Sequence, residues 1–297
     1  MTQTPDERTV VLLDGGMGME LSARGVAASD HLWAARALLD APETVRAVHD
    51  AYLAAGADVI TTNTYSAARP RLDRAGVADR FVELNELAAG LATQARDAHG
   101  RDVLIAGSMP PLEETYRPDK VGDDLWMVDN YRAQAEVLAP HVDVLLAETL
   151  STAREARAAA SAAISVGRPV WIALTVGADG RLLDGTEVSE AVSGMKVNGV
   201  LTNCSPPEAV SAAIPDVVAT GGGRVGGYAN GFVAVPDRWT VTDGIDRLGA
   251  RDDLGPQDYA MVVEGWLRDG ANLVGGCCRI GPDHIAALRD LIDGRQR

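Results

Sequence analysis

A chain of 297 residues with 46% apolar side chains, and glycine and proline spread along its length, can build a substantial core and is neither disordered nor fibrous in character. Its net charge of −15 argues against a general electrostatic grip on nucleic acid or on an anionic membrane surface. Three cysteines cannot all pair within one chain, no apolar run suffices to span a bilayer, and residues 1–9 lack the basic-then-apolar order of a signal peptide, so a cytoplasmic protein is expected.

The first apolar run, residues 10–16, ends in Asp14-Gly15-Gly16. After Pro42, Val45, Val48 and Tyr52 fall on one helical face, and Gly56 stops the helix. The second run, 58–64, ends in Thr61-Thr62-Asn63-Thr64, and the third, 103–109, leads into an irregular stretch over 110–124. The fourth, 143–149, holds Val144-Leu145-Leu146-Ala147 without alternation, the pattern of a parallel strand buried on both faces, and ends in Glu148-Thr149. Thr152 and Glu155 form a capping-box pair at the start of an alanine-rich helix that ends before Gly167. Runs five to seven cover 169–176, 199–204 and 224–230, and a second irregular stretch spans 231–255. The eighth run is 271–277, and Pro282 opens a last helix with Ile285, Leu288 and Ile292 on one face.

Eight β-then-α units in this length predict an α/β protein, a single (β/α)8 TIM barrel occupying residues 1–297 as one domain. A doubly wound open sheet is the alternative, since alternation by itself does not require closure. In a barrel the two irregular stretches become loops over the C-terminal face, where substrate-binding elements sit.

All three cysteines lie at strand ends, in Asn203-Cys204 and Gly275-Gly276-Cys277-Cys278. A barrel brings such ends to one rim, so Cys204, Cys277 and Cys278 are expected to hold zinc through three thiolates with a fourth position open. Gly275 and Gly276 are expected to supply backbone freedom for the turn. The alternatives are buried small hydrophobes, or a redox pair with a strained ring between adjacent cysteines. Asp14 and Glu148 suit recognition of a substrate ammonium group, although either could be a helix cap or surface charge. The backbone at Gly15 and Gly16 can approach a carboxylate, and Thr62 and Asn63 either join the site or satisfy neighbouring backbone. The five histidines lie mostly in helices or their flanks, and His284 reads as a first-turn helix residue.

Leu13-Asp14-Gly15-Gly16-Met17-Gly18, Thr61-Thr62-Asn63-Thr64-Tyr65, Glu148-Thr149, Asn203-Cys204 and Gly275-Gly276-Cys277-Cys278-Arg279 together resemble the ordered motifs of the homocysteine S-methyltransferase family. The resemblance runs from about Val11 to Ile285. It implies a barrel enzyme that methylates homocysteine with zinc on Cys204, Cys277 and Cys278. It further implies Glu148 on the substrate amino group with help near Asp14, backbone around Gly15 and Thr62 on the carboxylate, and Asn203 ordering the first cysteine's loop. The partners implied are homocysteine and a small methyl donor, with no nucleic acid and no membrane, in a monomer or homo-oligomer. Two departures bear on the donor: Gly107-Ser108-Met109-Pro110-Pro111-Leu112 replaces the Gly-Pro-Tyr-Gly-like sequence of S-methylmethionine-type members, and the C-terminal extension of betaine-type members is missing. A sulfonium donor is expected, S-methylmethionine ahead of S-adenosylmethionine, while Trp33 matches a pocket tryptophan of betaine-type members. A lyase or aldolase would want a strand-end lysine, and neither Lys120 nor Lys196 ends a strand. A non-catalytic zinc sensor would need a closed four-ligand site.

Overall fold

The computed structural model describes residues 9–26, 32–221, 223–236, 239–240, 243 and 245–295. Each predicted run contains a strand: Val11–Leu12 (β1), Val59–Thr61 (β2), Leu104–Met109 (β3), Val144–Leu150 (β4), Val170–Leu174 (β5), Gly199–Asn203 (β6), Arg224–Ala229 (β7) and Leu273–Gly276 (β8). All pair in parallel in the order β1-β8-β7-β6-β5-β4-β3-β2. A parallel bridge between Leu13 and Val59 joins the two ends. There the Asp58 N–H donates to the Leu12 carbonyl at 2.8 Å and the Asp14 N–H to the Val59 carbonyl at 3.0 Å. The ring closes, so the architecture is the (β/α)8 barrel rather than the open sheet.

Both faces of the strands are buried, which explains the missing alternation. Leu13, Val59, Val144, Leu146, Trp171 and Leu201 fill the interior, while Leu12, Ile60, Ile105, Leu145, Ile172 and Val200 pack outward on the helices. The helix Pro42–Ala54 buries the predicted face of Val45, Val48 and Tyr52, and the last helix, Pro282–Arg295, buries Ile285, Leu288 and Ile292. Only half of the predicted capping box forms. Thr152 accepts from the Glu155 N–H at 3.1 Å, but the Glu155 carboxylate turns to Tyr131 Oη at 3.2 Å and the Ser151 N–H at 3.4 Å.

A repeated device sets the register at the N-terminal end of the barrel. Asp58, Asp143, Asn198 and Asn272 each precede an even-numbered strand. Their side-chain oxygens accept from the N–H groups of Leu12, Ile105, Val170 and Val225 at 3.0, 2.8, 2.9 and 2.9 Å. Each also donates its own N–H to the carbonyl of that same residue, at 2.8, 2.9, 2.7 and 2.8 Å. Every odd strand is thus clasped in both directions by the residue that opens the next even strand. Five residues beyond each clasp stand Asn63, Glu148, Asn203 and Cys277.

The loop after β3 is tied down from beneath. Arg71 donates to the Pro111 carbonyl at 3.0 Å and to Thr115 Oγ1 at 3.3 Å. Arg74 bonds the Glu113 carboxylate at 2.8 Å and the Leu112 carbonyl at 3.1 Å. Among the described residues, no helix is long and apolar enough to cross a membrane.

Candidate active site

The three cysteines converge as their strand ends require. Cys204 follows β6 in the left-handed region, with φ of 49°, and Cys277 and Cys278 follow β8. The three sulfurs all lie within 4.8 Å of one another, and Cys204 Sγ is 3.9 Å from Cys278 Sγ. Tetrahedral thiolates bound at about 2.3 Å lie about 3.8 Å apart, so this donor set suits a zinc-sized, thiophilic ion. Cys204 and Cys278 are buried and Cys277 is half-buried. Contact with the Cys277 and Cys278 sulfurs, aided by Tyr116, shifts the Cys204 thiol below its ordinary pKa, and the same contacts with Cys204 shift Cys277 and Cys278 above theirs.

The two glycines before Cys277 serve a different purpose from the one expected. Neither has positive φ, and the left-handed residue of the turn is Arg279, at 69°. Their value is space: a Cβ on Gly275 would stand 2.5 Å from Leu13 Cβ, and one on Gly276 would stand 2.2 Å from Ile280 Cγ2. The turn that carries the paired cysteines thus packs directly on β1 and on its own return, closed by the Ile280 N–H to the Cys277 carbonyl at 3.0 Å. Gly15 meets the same turn, since a Cβ there would lie 2.1 Å from the Ile280 carbonyl oxygen.

Asp14 and Glu148 are buried beside the sulfurs. Asp14 accepts from the Thr61 N–H at 2.7 Å and the Thr61 hydroxyl at 2.8 Å. Glu148 accepts from Ser108 Oγ at 2.5 Å and Tyr228 Oη at 2.9 Å. Burial pushes both carboxyls up to about 7 against these hydrogen bonds. Neither forms a salt bridge with Arg, Lys or His among the described residues. Ser108 and Tyr228 were not singled out in the sequence. Their signal is a polar side chain near the C-terminal end of an otherwise small or apolar strand.

A cavity of about 100 Å³ joins these groups, lined by Asp14, Gly15, Thr62, Asn63, Glu148 and the three cysteines, with Trp33, Tyr65, Tyr116 and Trp239 as aromatic walls. Thr62 commits its N–H to the Ala106 carbonyl, and its hydroxyl meets Thr64 and the Ser108 N–H. Asn63 donates to the Ala34 carbonyl at 2.9 Å, leaving Oδ1 buried without a hydrogen-bond partner among the described residues. Asn203 sits behind the cavity, accepting from the Thr149 N–H and donating to Thr149 Oγ1, each at 2.9 Å. It locks Thr149, at φ of 63°, the residue that follows Glu148. His49 is buried in its helix and His284 caps a turn near Gly281, while His31 lies outside the described residues. Among the described residues no histidine joins the sulfur cluster.

Known proteins resemble this one over nearly the whole chain. The sequence model of a family described as homocysteine S-methyltransferase matches residues 11–292. A selenocysteine methyltransferase of Astragalus bisulcatus is 29% identical over 96% of this chain and 93% of its own. A homocysteine S-methyltransferase of Escherichia coli is also 29% identical, with 96% of each chain covered. The crystal structure of the Escherichia coli homocysteine methyltransferase MmuM in its metallated form superposes with a TM-score of 0.80 at 28% identity, over 96% of this chain and 97% of that one. A type I 3-dehydroquinate dehydratase from Clostridium difficile, at a TM-score of 0.55 and 7% identity, shares the fold alone.

Proposed function

We propose, because the chain belongs to the homocysteine S-methyltransferase family, that it carries a methyl group from a sulfonium donor to the thiol of homocysteine and forms methionine, with zinc held by Cys204, Cys277 and Cys278. The observation that carries this reading is the meeting of three sulfurs and two cation-free carboxylates around one small cavity. An amino acid with a thiol at one end and an ammonium group at the other matches that pair of poles.

Zinc, when bound, supplies the means of keeping the substrate sulfur deprotonated at neutral pH, where a free thiol of pKa about 8.5 is mostly protonated. Asp14 and Glu148 receive the ammonium group, and Asn63 Oδ1 offers a further acceptor on the same wall. Ser108 and Tyr228 keep the Glu148 carboxylate aimed inward, as Thr61 does for Asp14. The substrate carboxylate is assigned to the backbone at Gly15, where the close-packed turn leaves room for no side chain, and not to the Thr62 N–H, which the Ala106 carbonyl already holds. Trp33, Tyr65, Tyr116 and Trp239 present ring faces and edges that favour a cationic donor and exclude water. In the transfer a sulfur–carbon bond forms to homocysteine, the donor's sulfur–methyl bond breaks, and its electron pair leaves with a neutral thioether. No general base acts in that step. Glu113, in the loop after β3, is paired with Arg74.

Zinc content of the purified protein is the first test. One ion per chain is expected, lost in Cys204→Ser, Cys277→Ser and Cys278→Ser while the circular dichroism of the barrel persists. Full activity in a zinc-free preparation would remove the metal from the reaction. Separate assays with homocysteine and S-methylmethionine, S-adenosylmethionine or betaine then identify the donor, and methionine from betaine alone would overturn the sulfonium assignment.

A further inference from the structure

We propose that Tyr116 is a positioning residue of the metal centre, its hydroxyl donating a hydrogen bond that fixes the Cys204 sulfur. The inference rests on the zinc reading above. Tyr116 Oη lies 2.9 Å from Cys204 Sγ. Once Cys204 binds a cation as thiolate its sulfur carries no proton, so the phenol is the donor. Among the described residues, Tyr116 is the side chain whose O–H reaches that sulfur.

The contact is built rather than incidental. Tyr116 sits at φ of 61° and Cys204 at 49°, so two non-glycine residues in the left-handed region meet through their side chains. The residue before Tyr116, Thr115, is gripped by Arg71 Nη2 at 3.3 Å and by Tyr65 Oη at 3.0 Å. The Tyr116 ring leans on Trp239, with centroids 6.1 Å apart. These anchors deliver the phenol to the rim although 88 residues separate it from Cys204.

Three thiolates leave a divalent cation with one negative charge in excess, and a fourth thiolate from the substrate adds another. In a dry site a donor aimed at one thiolate offsets part of that charge and holds the ligand's direction. It also makes Cys204 a poorer nucleophile than the unbonded substrate sulfur, favouring methyl transfer to the substrate.

The test is Tyr116→Phe, which keeps the ring against Trp239 and removes only the hydroxyl. Competition with a chromophoric chelator should show zinc held about tenfold more weakly. In cobalt-loaded protein the thiolate-to-metal charge-transfer band should move to lower energy, because an unbonded thiolate gives up its electron more easily. The unfolding midpoint of the metal-free form should match wild type. An unmoved cobalt band with zinc affinity within about twofold of wild type overturns the proposal. So does a phenolate-to-cobalt band in wild type that vanishes in the variant, which would make Tyr116 a ligand. Failure of the wild type to bind zinc would instead overturn the metal reading itself.

Discussion

Glu148 shows how a single residue divides its duties. Its carboxylate is oriented by Ser108 and Tyr228, and burial holds it up to about 7. An ammonium ion in the cavity would relieve that burial cost, which ties substrate binding to loss of the carboxyl proton. Glu148→Gln keeps the shape and removes the charge. It should weaken homocysteine binding by on the order of 2 kcal/mol, roughly thirtyfold, while zinc content stays unchanged. Steady-state kinetics with homocysteine varied decides the matter, and an unchanged KM would return Glu148 to a purely structural role.

Among the elements, the helix Pro42–Ala54 carries an unused titratable group. His49 is fully buried, both ring nitrogens lack hydrogen-bond partners among the described residues, and burial followed by the Arg46 charge lowers its pKa to about 4. The folded state therefore keeps His49 neutral where the unfolded chain, near 6.5, already binds a proton. Its contribution is intact above pH 6.5 and is lost as pH falls towards 4, by on the order of 3 kcal/mol. Urea unfolding at pH 7.5 and 4.5 should show His49→Leu losing less stability than wild type across that interval. Equal losses would assign the acid sensitivity to other groups. The strand-opening clasps are elements of another kind. Ala57-Asp58-Val59-Ile60, Val142-Asp143-Val144-Leu145, Val197-Asn198-Gly199-Val200 and Ala271-Asn272-Leu273-Val274 form a short repeat that is visible in the sequence once the strands are aligned. Its irregular spacing hides it until then.

For the molecule as a whole, the seam between β1 and β2 is where closure is thinnest. β1 has two residues and meets β2 through the single Leu13–Val59 bridge, whereas β3 and β4 share four aligned pairs. Asp58 reinforces the seam by accepting from the Leu12 N–H at 3.0 Å and from Arg289 of the last helix at 3.1 Å. Asp58→Ala should cost about 2 kcal/mol and lower Tm by about 5 °C. Asp143→Ala, at the equivalent clasp of the better-paired strands, should cost less. Calorimetry on both variants checks the comparison, and equal losses would show that the seam has no special dependence on its clasp.

The barrel, its rim and the candidate residues on that rim were legible in the sequence. Apolar runs buried on both faces and the helical spacing between them are local patterns, and parallel topology carries the even strand ends, with Glu148, Asn203 and Cys277, to one face. The grouping of Cys204 with Cys277 and Cys278 followed from the same convergence. Tertiary structure alone decided who holds whom: Ser108 and Tyr228 on Glu148, Thr61 on Asp14, Asn203 on Thr149, Tyr116 on Cys204. It also turned Gly275 and Gly276 from hinges into spacers. Those contacts join residues 40 to 88 positions apart, and they depend on register and side-chain direction around the closed ring, which no local periodicity encodes.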